Sequence, residues 1–303
     1  MQLNLFEDNR PGILNNIAYE YICSRDLDQA VSVYEQLLVD YPDDKRTYAQ
    51  LKLVSEWRDL LSGVSECPDV PAYLQTLWLQ LEPLSHPALR SLVLETLIAA
   101  LRTLPNPEQI YLSPRFHLGH ILMDAGQYAE AAGCFHGALS FDGIERGRFL
   151  GWKGDALTLA GSNEALNSYL DAFLDDPLTV DMKSIKNRKI TDLHTSLQSD
   201  AMDEIDEFEE PAWLPVWGWL QGIFTLPLQT VAGDIPSRSE EFEAQLAEEH
   251  NSAPHIWFHM LIYAEKLRVG HWDSRELGAV RRLMKRTNGF MFNCYLEKII
   301  GRR

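Results

Sequence analysis

Apolar residues recur every three to four positions along almost the whole chain, which is the spacing of amphipathic α-helices. No stretch sustains the period-two alternation of a half-buried β-strand. Turn residues, mainly proline and glycine, separate the helical segments. The predicted helices cover residues 11–24, 27–40, 44–61, 72–82, 87–103, 113–124, 128–140, 146–159, 163–174, 180–200, 213–231, 239–249, 254–268, 273–287 and 289–300. We therefore predict an all-α protein.

Three pairs of these helices share one pattern of small and aromatic residues, near 11–44, 112–145 and 146–178. The first pair has Leu14, Ile17, Ala18, Tyr21, Ala30, Tyr34 and Pro42. The second has Arg115, Leu118, Gly119, Leu122, Ala131, Phe135, Ala138 and Gly143. The third has Leu150, Lys153, Gly154, Leu157, Ala165, Tyr169, Ala172 and Pro177. The small residues let the two helices approach closely, and the aromatic residues are expected to fill the space between successive pairs. At the start of the second helix, Asp26 is the predicted N-cap.

This pattern resembles the tetratricopeptide repeat, whose helix pairs have a similar spacing of small and aromatic positions. The resemblance covers about 100 residues and implies a right-handed superhelix of antiparallel helix pairs, an α-solenoid. A further pair at 72–103 does not fit the pattern, because Pro83 and Pro87 would fall inside a helix. We therefore predict a repeat domain at 1–200, an acidic linker at 201–211 and a divergent helical unit at 212–303.

The resemblance also implies a binding mode, because in this family the first helix of each pair lines a concave groove that holds a partner peptide. The positions that match this groove include Asn15, Tyr19, Phe116, His120, Trp152 and Asp155. No lysine stands among them, so a clamp for a terminal carboxylate is not expected. An aromatic, weakly acidic groove favours an apolar or basic peptide. The alternative is that Phe116 and Trp152 pack against neighbouring helices.

Composition and charge narrow the function classes. Hydrophobic residues make up 46% of the chain, charged residues 23%, and the net charge is −17. Nucleic acid is not an expected partner, because phosphate binding requires a basic surface. Residues 266–303 are the exception, with ten Lys/Arg against three Asp/Glu. The longest apolar stretch, at 213–228, is broken by two prolines, so no membrane partner is expected.

The beginning of the chain and its cysteines bear on where the protein works. No basic start followed by an apolar run opens the sequence, and the four cysteines are far apart. We therefore expect a cytoplasmic location. Cys23 and Cys134 lie in helical patterns and are expected to be buried.

Candidate chemistry is sparse, and neither a cofactor motif nor a catalytic motif is present. His255 and His259 are four residues apart on a predicted helix, which is a metal-ligand spacing, and Glu249 and His250 are possible additional ligands. The leading hypothesis is a non-catalytic scaffold or adaptor that binds another protein. The alternative is a metal-dependent or enzymatic protein with a site around His255 and His259.

Three further clusters have a structural and a functional interpretation each. Trp213, Trp217 and Trp219 are expected to be core residues, with an exposed recognition patch as the alternative. Residues 200–210 contain seven carboxylates and are interpreted as a linker, with an interaction motif anchored by Ile205 and Phe208 as the alternative. A basic run covers residues 281–286 and is expected to be a solvated helix face, with contact to a phosphate or an acidic partner as the alternative.

Overall fold

A computed structural model describes residues 9–201, 204–228, 237–248, 252–270 and 274–301. Within these ranges the chain forms fifteen α-helices, and its strands are two segments of two residues each. The all-α prediction is therefore confirmed for the described residues, and neighbouring helices pack as pairs. The superhelical arrangement stays a prediction.

The helices follow the predicted order closely, and two short strands occur that were not predicted. The first seven helices are α1 (Arg10–Cys23), α2 (Leu27–Asp40), α3 (Lys45–Ser62), α4 (Val70–Leu79), α5 (Pro87–Thr103), α6 (Leu118–Asp124) and α7 (Tyr128–Ala138). The strands β1 (Tyr111–Leu112) and β2 (Phe116–His117) pair in antiparallel fashion between α5 and α6. The later helices are α8 (Arg146–Leu159), α9 (Ala165–Asp175), α10 (Arg188–Asp200), α11 (Glu210–Leu220), α12 (Ser239–Ala247), α13 (Ala253–Gly270), α14 (Ser274–Thr287) and α15 (Gly289–Ile300).

Contacts divide the chain into two compact units, Met1–Cys134 and Phe135–Arg303. In the first unit, α1 packs against α2 and α5, and α2 packs against α3. In the second unit, α8 pairs with α9, and α11 packs against both α9 and α13. The hydrophobic core of the second unit extends from Leu150 to Tyr295 and includes residues on both sides of the predicted linker at 201–211.

The three predicted repeat pairs have the same turn between their helices. Arg25, Gly126 and Gly161 each adopt a left-handed backbone, with φ of 69°, 74° and 71°. Each of these residues donates its N–H to a carbonyl three residues back, at 3.1, 3.0 and 3.0 Å. The next residue in each turn donates to a carbonyl five residues back, at 2.9, 2.8 and 2.9 Å. This is the Schellman pattern of a helix end, so the three turns are equivalent in local geometry as well as in sequence.

Small residues bring the paired helices together, as the sequence predicts. A Cβ atom on Gly154 of α8 would lie 2.9 Å from the ring of Tyr169 of α9. Ala18 and Ala30 are completely buried in the first pair. Tyr169 therefore fills the space beside Gly154 within its own hairpin, although the sequence placed such aromatics between successive hairpins.

Side-chain caps set several of the helix starts. Asp26 accepts a hydrogen bond from the Gln29 N–H at 3.0 Å, which confirms the predicted N-cap of α2. Asp44 caps α3 in the same way, through the N–H groups of Arg46 and Thr47. These bonds satisfy amide groups that have no partner within the helix.

Several boundaries and one burial prediction differ from the structure. The helix predicted at 113–124 begins only at Leu118, because the preceding residues form the β1–β2 pair. The helix predicted at 180–200 begins at Arg188, and that predicted at 213–231 ends at Leu220, before a turn with left-handed Gly222. Cys23 is exposed, because it is the last residue of α1, whereas Cys134 is buried as predicted.

Candidate functional site

Two of the six predicted groove residues lie near the surface, both on α1 in the first unit. Tyr19 is 44% exposed, and the centre of its ring lies 5.8 Å from that of His86. Asn15 is half-buried and donates a hydrogen bond to the Pro11 carbonyl at 2.8 Å. Tyr19 is therefore the member of the set whose side chain a partner reaches most directly.

Phe116 and His120 lie in the interior of the first unit. Phe116 belongs to β2 rather than to a helix, is completely buried, and contacts Trp78 with ring centres 5.9 Å apart. His120 is 2% exposed, and its ring centre lies 6.3 Å from that of Trp78. These side chains pack against the protein itself, which was the alternative interpretation for Phe116.

Trp152 and Asp155 lie in the interior of the second unit, on α8. Trp152 is 4% exposed and contacts the rings of Phe135 and Phe149, with centres 5.8 and 5.0 Å away. Asp155 is 3% exposed and accepts hydrogen bonds from the Tyr169 hydroxyl at 2.5 Å and the Lys186 N–H at 2.7 Å. Asp155 thus joins α8, α9 and the segment before α10.

His117 has a structural role that the sequence did not indicate. Its Nδ1 accepts the Gly119 N–H at 3.0 Å and so caps α6, while its Nε2 lies 2.9 Å from the Glu108 carbonyl oxygen. An accepting Nδ1 requires the proton on Nε2, which then donates to that carbonyl. Burial lowers the pKa of His117 to about 4, so the ring is neutral at physiological pH.

An open cavity of about 430 Å³ lies on the second unit beside α8. We call it the α8 cavity; it is lined by His136, Leu139, Arg146, Leu150, Lys153, Asp171, Leu174 and Asp175. It combines an apolar floor with two cations and two carboxylates. Arg146 donates to the Asp175 carboxylate at 2.5 Å and to the Leu139 carbonyl at 3.0 Å, which fixes both charged groups at the rim.

A second, smaller cavity of about 240 Å³ adjoins the first. We call it the α13 cavity; it is lined by Phe173, Leu174, Asp175, Pro177, Ala212, Ser252, His255 and Ile256. Leu174 and Asp175 belong to both cavities, so the two form neighbouring parts of one surface. In the α13 cavity Asp175 is the acidic side chain, and the wall around it is mainly apolar.

Charges in the α8 cavity influence one another. Burial raises the pKa of Asp171, the neighbouring Lys153 opposes this rise, and the Asp175 carboxylate adds to it. A cation from a ligand would favour the charged form of Asp171 in the same way as Lys153 does.

The sequence contains a signal for this surface. Arg146, Leu150 and Lys153 stand at positions i, i+4 and i+7, which is one face of a helix. The predicted groove face of the same helix, with Trp152 and Asp155, points instead into the interior. Apolar residues occur all round α8, so the sequence alone does not distinguish its exposed face.

His255 and His259 both lie on α13 with exposed rings. Their Nε2 atoms are 3.0 Å apart. Glu249 and His250, the possible additional ligands, lie outside the described residues. Within the described parts of the chain, no group of three or more His, Cys, Asp or Glu side chains is placed to hold a metal ion.

The other clusters resolve into core and surface features. Trp213, Trp217 and Trp219 are at most 6% exposed, so they are core residues, as expected. In the acidic segment, Ile205 packs against the core of the second unit, whereas Phe208 is 82% exposed. In the basic run, which belongs to α14, Arg286 pairs with Glu243 at 3.0 Å and Arg281 donates to the Tyr295 hydroxyl at 3.2 Å.

No family model, no curated protein and no solved structure matches this chain. The tetratricopeptide resemblance therefore rests on the repeated residues, and it stays a prediction. None of the helices within the described ranges combines the length and the apolar character needed to cross a membrane.

Proposed function

We propose that this chain is a non-catalytic interaction protein that binds a partner peptide on the surface formed by the α8 and α13 cavities. The observation that carries the proposal is the adjoining position of the two cavities, which share Leu174 and Asp175. The α13 cavity has the mainly apolar lining that is typical of ligand sites, and the α8 cavity adds charged side chains beside it.

The occupant that fits best is an extended peptide with an apolar side chain next to a basic one. The apolar side chain packs against Leu174 and the neighbouring apolar wall, while the basic side chain faces Asp175. The exposure of Asp175 keeps its carboxylate accessible although it already holds Arg146. A partner cation replaces part of that contact rather than meeting an empty carboxylate.

The repeat geometry supports an interaction role independently. Three hairpins with equivalent turns build a framework of paired helices, and such frameworks present large surfaces to other proteins. Tyr19, with its exposed ring in the first unit, is a candidate for an additional partner contact. A scaffold or adaptor that binds an apolar or basic peptide is the function that these features favour.

The test begins with a random peptide library, from which peptides that bind the full chain are selected. The selected peptides are then measured by fluorescence anisotropy against wild type, Leu174→Ser, Asp175→Asn and Tyr19→Ala. We expect Leu174→Ser and Asp175→Asn each to weaken binding by about tenfold, which is the effect of losing about 1.4 kcal/mol. Leu178→Ser is the matched control, because Leu178 is 70% exposed and lines neither cavity.

The outcome for each variant separates the surfaces. If Leu174→Ser and Asp175→Asn bind the selected peptides as wild type does, the two cavities are not the binding surface. Loss of binding in Tyr19→Ala alone would assign the contact to α1 instead. Circular dichroism of each variant verifies that the helices remain folded.

A further inference from the structure

His255 and His259 differ from the buried histidines of the first unit in their environment. Both rings are exposed on consecutive turns of α13, so both can reach a solute. His117 and His120, by comparison, are at most 2% exposed. The side chains of residues four apart on a helix lie on the same face, which brings these two rings together.

The distance between the two rings matches metal chelation. Zinc binds histidine nitrogen at about 2.0–2.1 Å, so two such nitrogens on one ion, at angles between square and tetrahedral, are separated by about 2.9–3.4 Å. The Nε2 atoms of His255 and His259 are 3.0 Å apart. The backbone of α13 therefore holds the two nitrogens at the required spacing without rearrangement.

The direction of the rings supports the same conclusion. A straight N–H···N hydrogen bond of this length would place the ring centres about 5.3 Å apart, because donor and acceptor point at each other. Two rings that converge on one ion at zinc-like distances have centres about 4.7 Å apart. The observed separation is 4.6 Å, with 66° between the ring planes. This separation is shorter than that of a straight hydrogen bond and is compatible with two rings that face one ion.

Arg238 is a positive charge that interacts with His259. The Glu241 carboxylate accepts two hydrogen bonds from the Arg238 guanidinium, both at 2.8 Å. The positive charge near the histidine pair is therefore partly neutralised, which reduces its repulsion of a metal ion.

We propose that His255 and His259 form a two-histidine chelate for a divalent transition-metal ion of the Ni²⁺, Cu²⁺ and Zn²⁺ group. Imidazole nitrogen suits these ions, whereas Mg²⁺ and Ca²⁺ prefer oxygen ligands. Water occupies the coordination positions that face solvent. The site adds a binding function to the proposed peptide surface, which His255 borders through the α13 cavity.

The test uses the full chain without a polyhistidine tag, freed of metal by a chelator. Isothermal titration in a non-coordinating buffer measures Cu²⁺, Ni²⁺, Zn²⁺ and Mg²⁺ separately. We expect one Cu²⁺ per chain, with Cu²⁺ bound more tightly than Ni²⁺ or Zn²⁺, in the order typical of nitrogen sites, and no Mg²⁺ binding. Electron paramagnetic resonance of the Cu²⁺ form should show two equivalent nitrogen donors.

Variants separate chelation from a hydrogen bond between the rings. His255→Ala and His259→Ala should each weaken Cu²⁺ binding by about tenfold or more, because one ligand of the chelate is lost. His259→Gln keeps a hydrogen-bonding side chain at the position and should weaken binding equally. His194→Ala removes a histidine of α10 that lines neither cavity and should leave the Cu²⁺ affinity unchanged.

Equal Cu²⁺ affinity in wild type, His255→Ala and His259→Ala would overturn the proposal, as would a spectrum with a single nitrogen donor. If His259→Gln kept the wild-type Cu²⁺ affinity, His259 would not be a metal ligand, and its contact with His255 would be a hydrogen bond only. Because both side chains are exposed, the variants should keep the helix content of wild type. These outcomes are independent of the peptide measurements on Leu174 and Asp175.

Discussion

The contact between Gly154 and Tyr169 shows how one missing side chain determines a helix packing distance. Tyr169 is completely buried, and its hydroxyl donates to Asp155 of the same helix pair. Two contacts therefore hold the Tyr169 side chain: the ring packs against Gly154, and the hydroxyl is hydrogen-bonded to Asp155. Burial raises the pKa of Tyr169, and the Asp155 charge adds to this, so the hydroxyl keeps its proton and remains a donor.

Gly154→Ala should therefore destabilise the protein. The added Cβ would lie 2.9 Å from the Tyr169 ring, and overpacking of this kind costs about 1–3 kcal/mol. In an uncrowded helix the same substitution stabilises by about 0.5–1 kcal/mol, because glycine loses more backbone freedom on folding. Gly278→Ala on α14 is the matched control, since its new Cβ meets no atom closer than 3.7 Å. Chemical denaturation of both variants should give free-energy changes of opposite sign.

The titration of His117 is expected to make the free energy of unfolding depend on pH. Its pKa falls from 6.5 in the unfolded chain to about 4 in the folded one, so the unfolded state binds more protons between these values. This contribution is fully present above about pH 6.5 and is lost as the pH falls through about 4. At most about 3.5 kcal/mol depends on this titration, at about 1.4 kcal/mol per pKa unit.

The slope of unfolding free energy against pH measures this effect. His117→Asn keeps an N-capping oxygen but removes the titrating group. Between about pH 4 and pH 6.5 the variant should lose less stability on acidification than wild type. A wild-type slope in His117→Asn would exclude His117 as the source.

At the scale of elements, the hairpin turns contain one exception to their own pattern. Two of the three use glycine at the left-handed position, whereas the first uses Arg25. A left-handed residue with a side chain costs about 1–2 kcal/mol, a cost that glycine avoids. Arg25 also pairs with Glu95, but both side chains are substantially exposed, and such pairs contribute little.

Arg25→Gly should consequently stabilise the first hairpin by about 1 kcal/mol, the difference between the backbone cost and the lost surface ion pair. Gly161→Ala should destabilise the third hairpin by a similar amount, because a Cβ there meets no atom within 4 Å and only the backbone conformation is unfavourable. Thermal unfolding of both variants gives the comparison. A destabilised Arg25→Gly would mean that the Glu95 contact outweighs the backbone cost, and Glu95→Gln would then be equally destabilising.

The sequence predicted helices more reliably than it predicted which helix face is exposed. Helix starts depend on local groups, so an aspartate such as Asp26 indicates a start by itself. Burial depends on packing partners that are distant in sequence. Buried residues lie on nearly all sides of α8, for example Phe149, Gly151 and Asp155. The groove assignment for Trp152 and Asp155 relied on family geometry, and both side chains are buried in this chain.

The start of α6 illustrates the same limit. Apolar residues keep their helical spacing from Phe116 onward, so the sequence predicted a helix that begins at residue 113. In the structure Leu112 pairs with Phe116, and His117 turns the chain into the helix by capping it. A histidine cap is uncommon, and its identification required the position of the Gly119 N–H.

At the scale of the whole molecule, charge and cavities act together. The chain carries a net charge of −17, and its negative potential attracts cations from a distance beyond contact. The same potential opposes acidic ligands, although residues 266–303 are basic. If the proposed peptide surface is correct, the field should favour a basic peptide during approach, and Asp175 should favour it after docking.

The long-range field and the short-range contact with Asp175 should respond differently to salt. The field is screened over about 10 Å at 0.1 M ionic strength, so the association rate of a basic peptide should fall by about tenfold from 20 mM to 200 mM salt. Dissociation depends on short-range contacts and should change little. Stopped-flow measurements with a selected peptide give both rates. A peptide of the same length with its basic residues replaced by glutamine should associate at a rate independent of salt. An equal decrease for both peptides would show that salt acts on the protein itself and not on the charge attraction between protein and peptide.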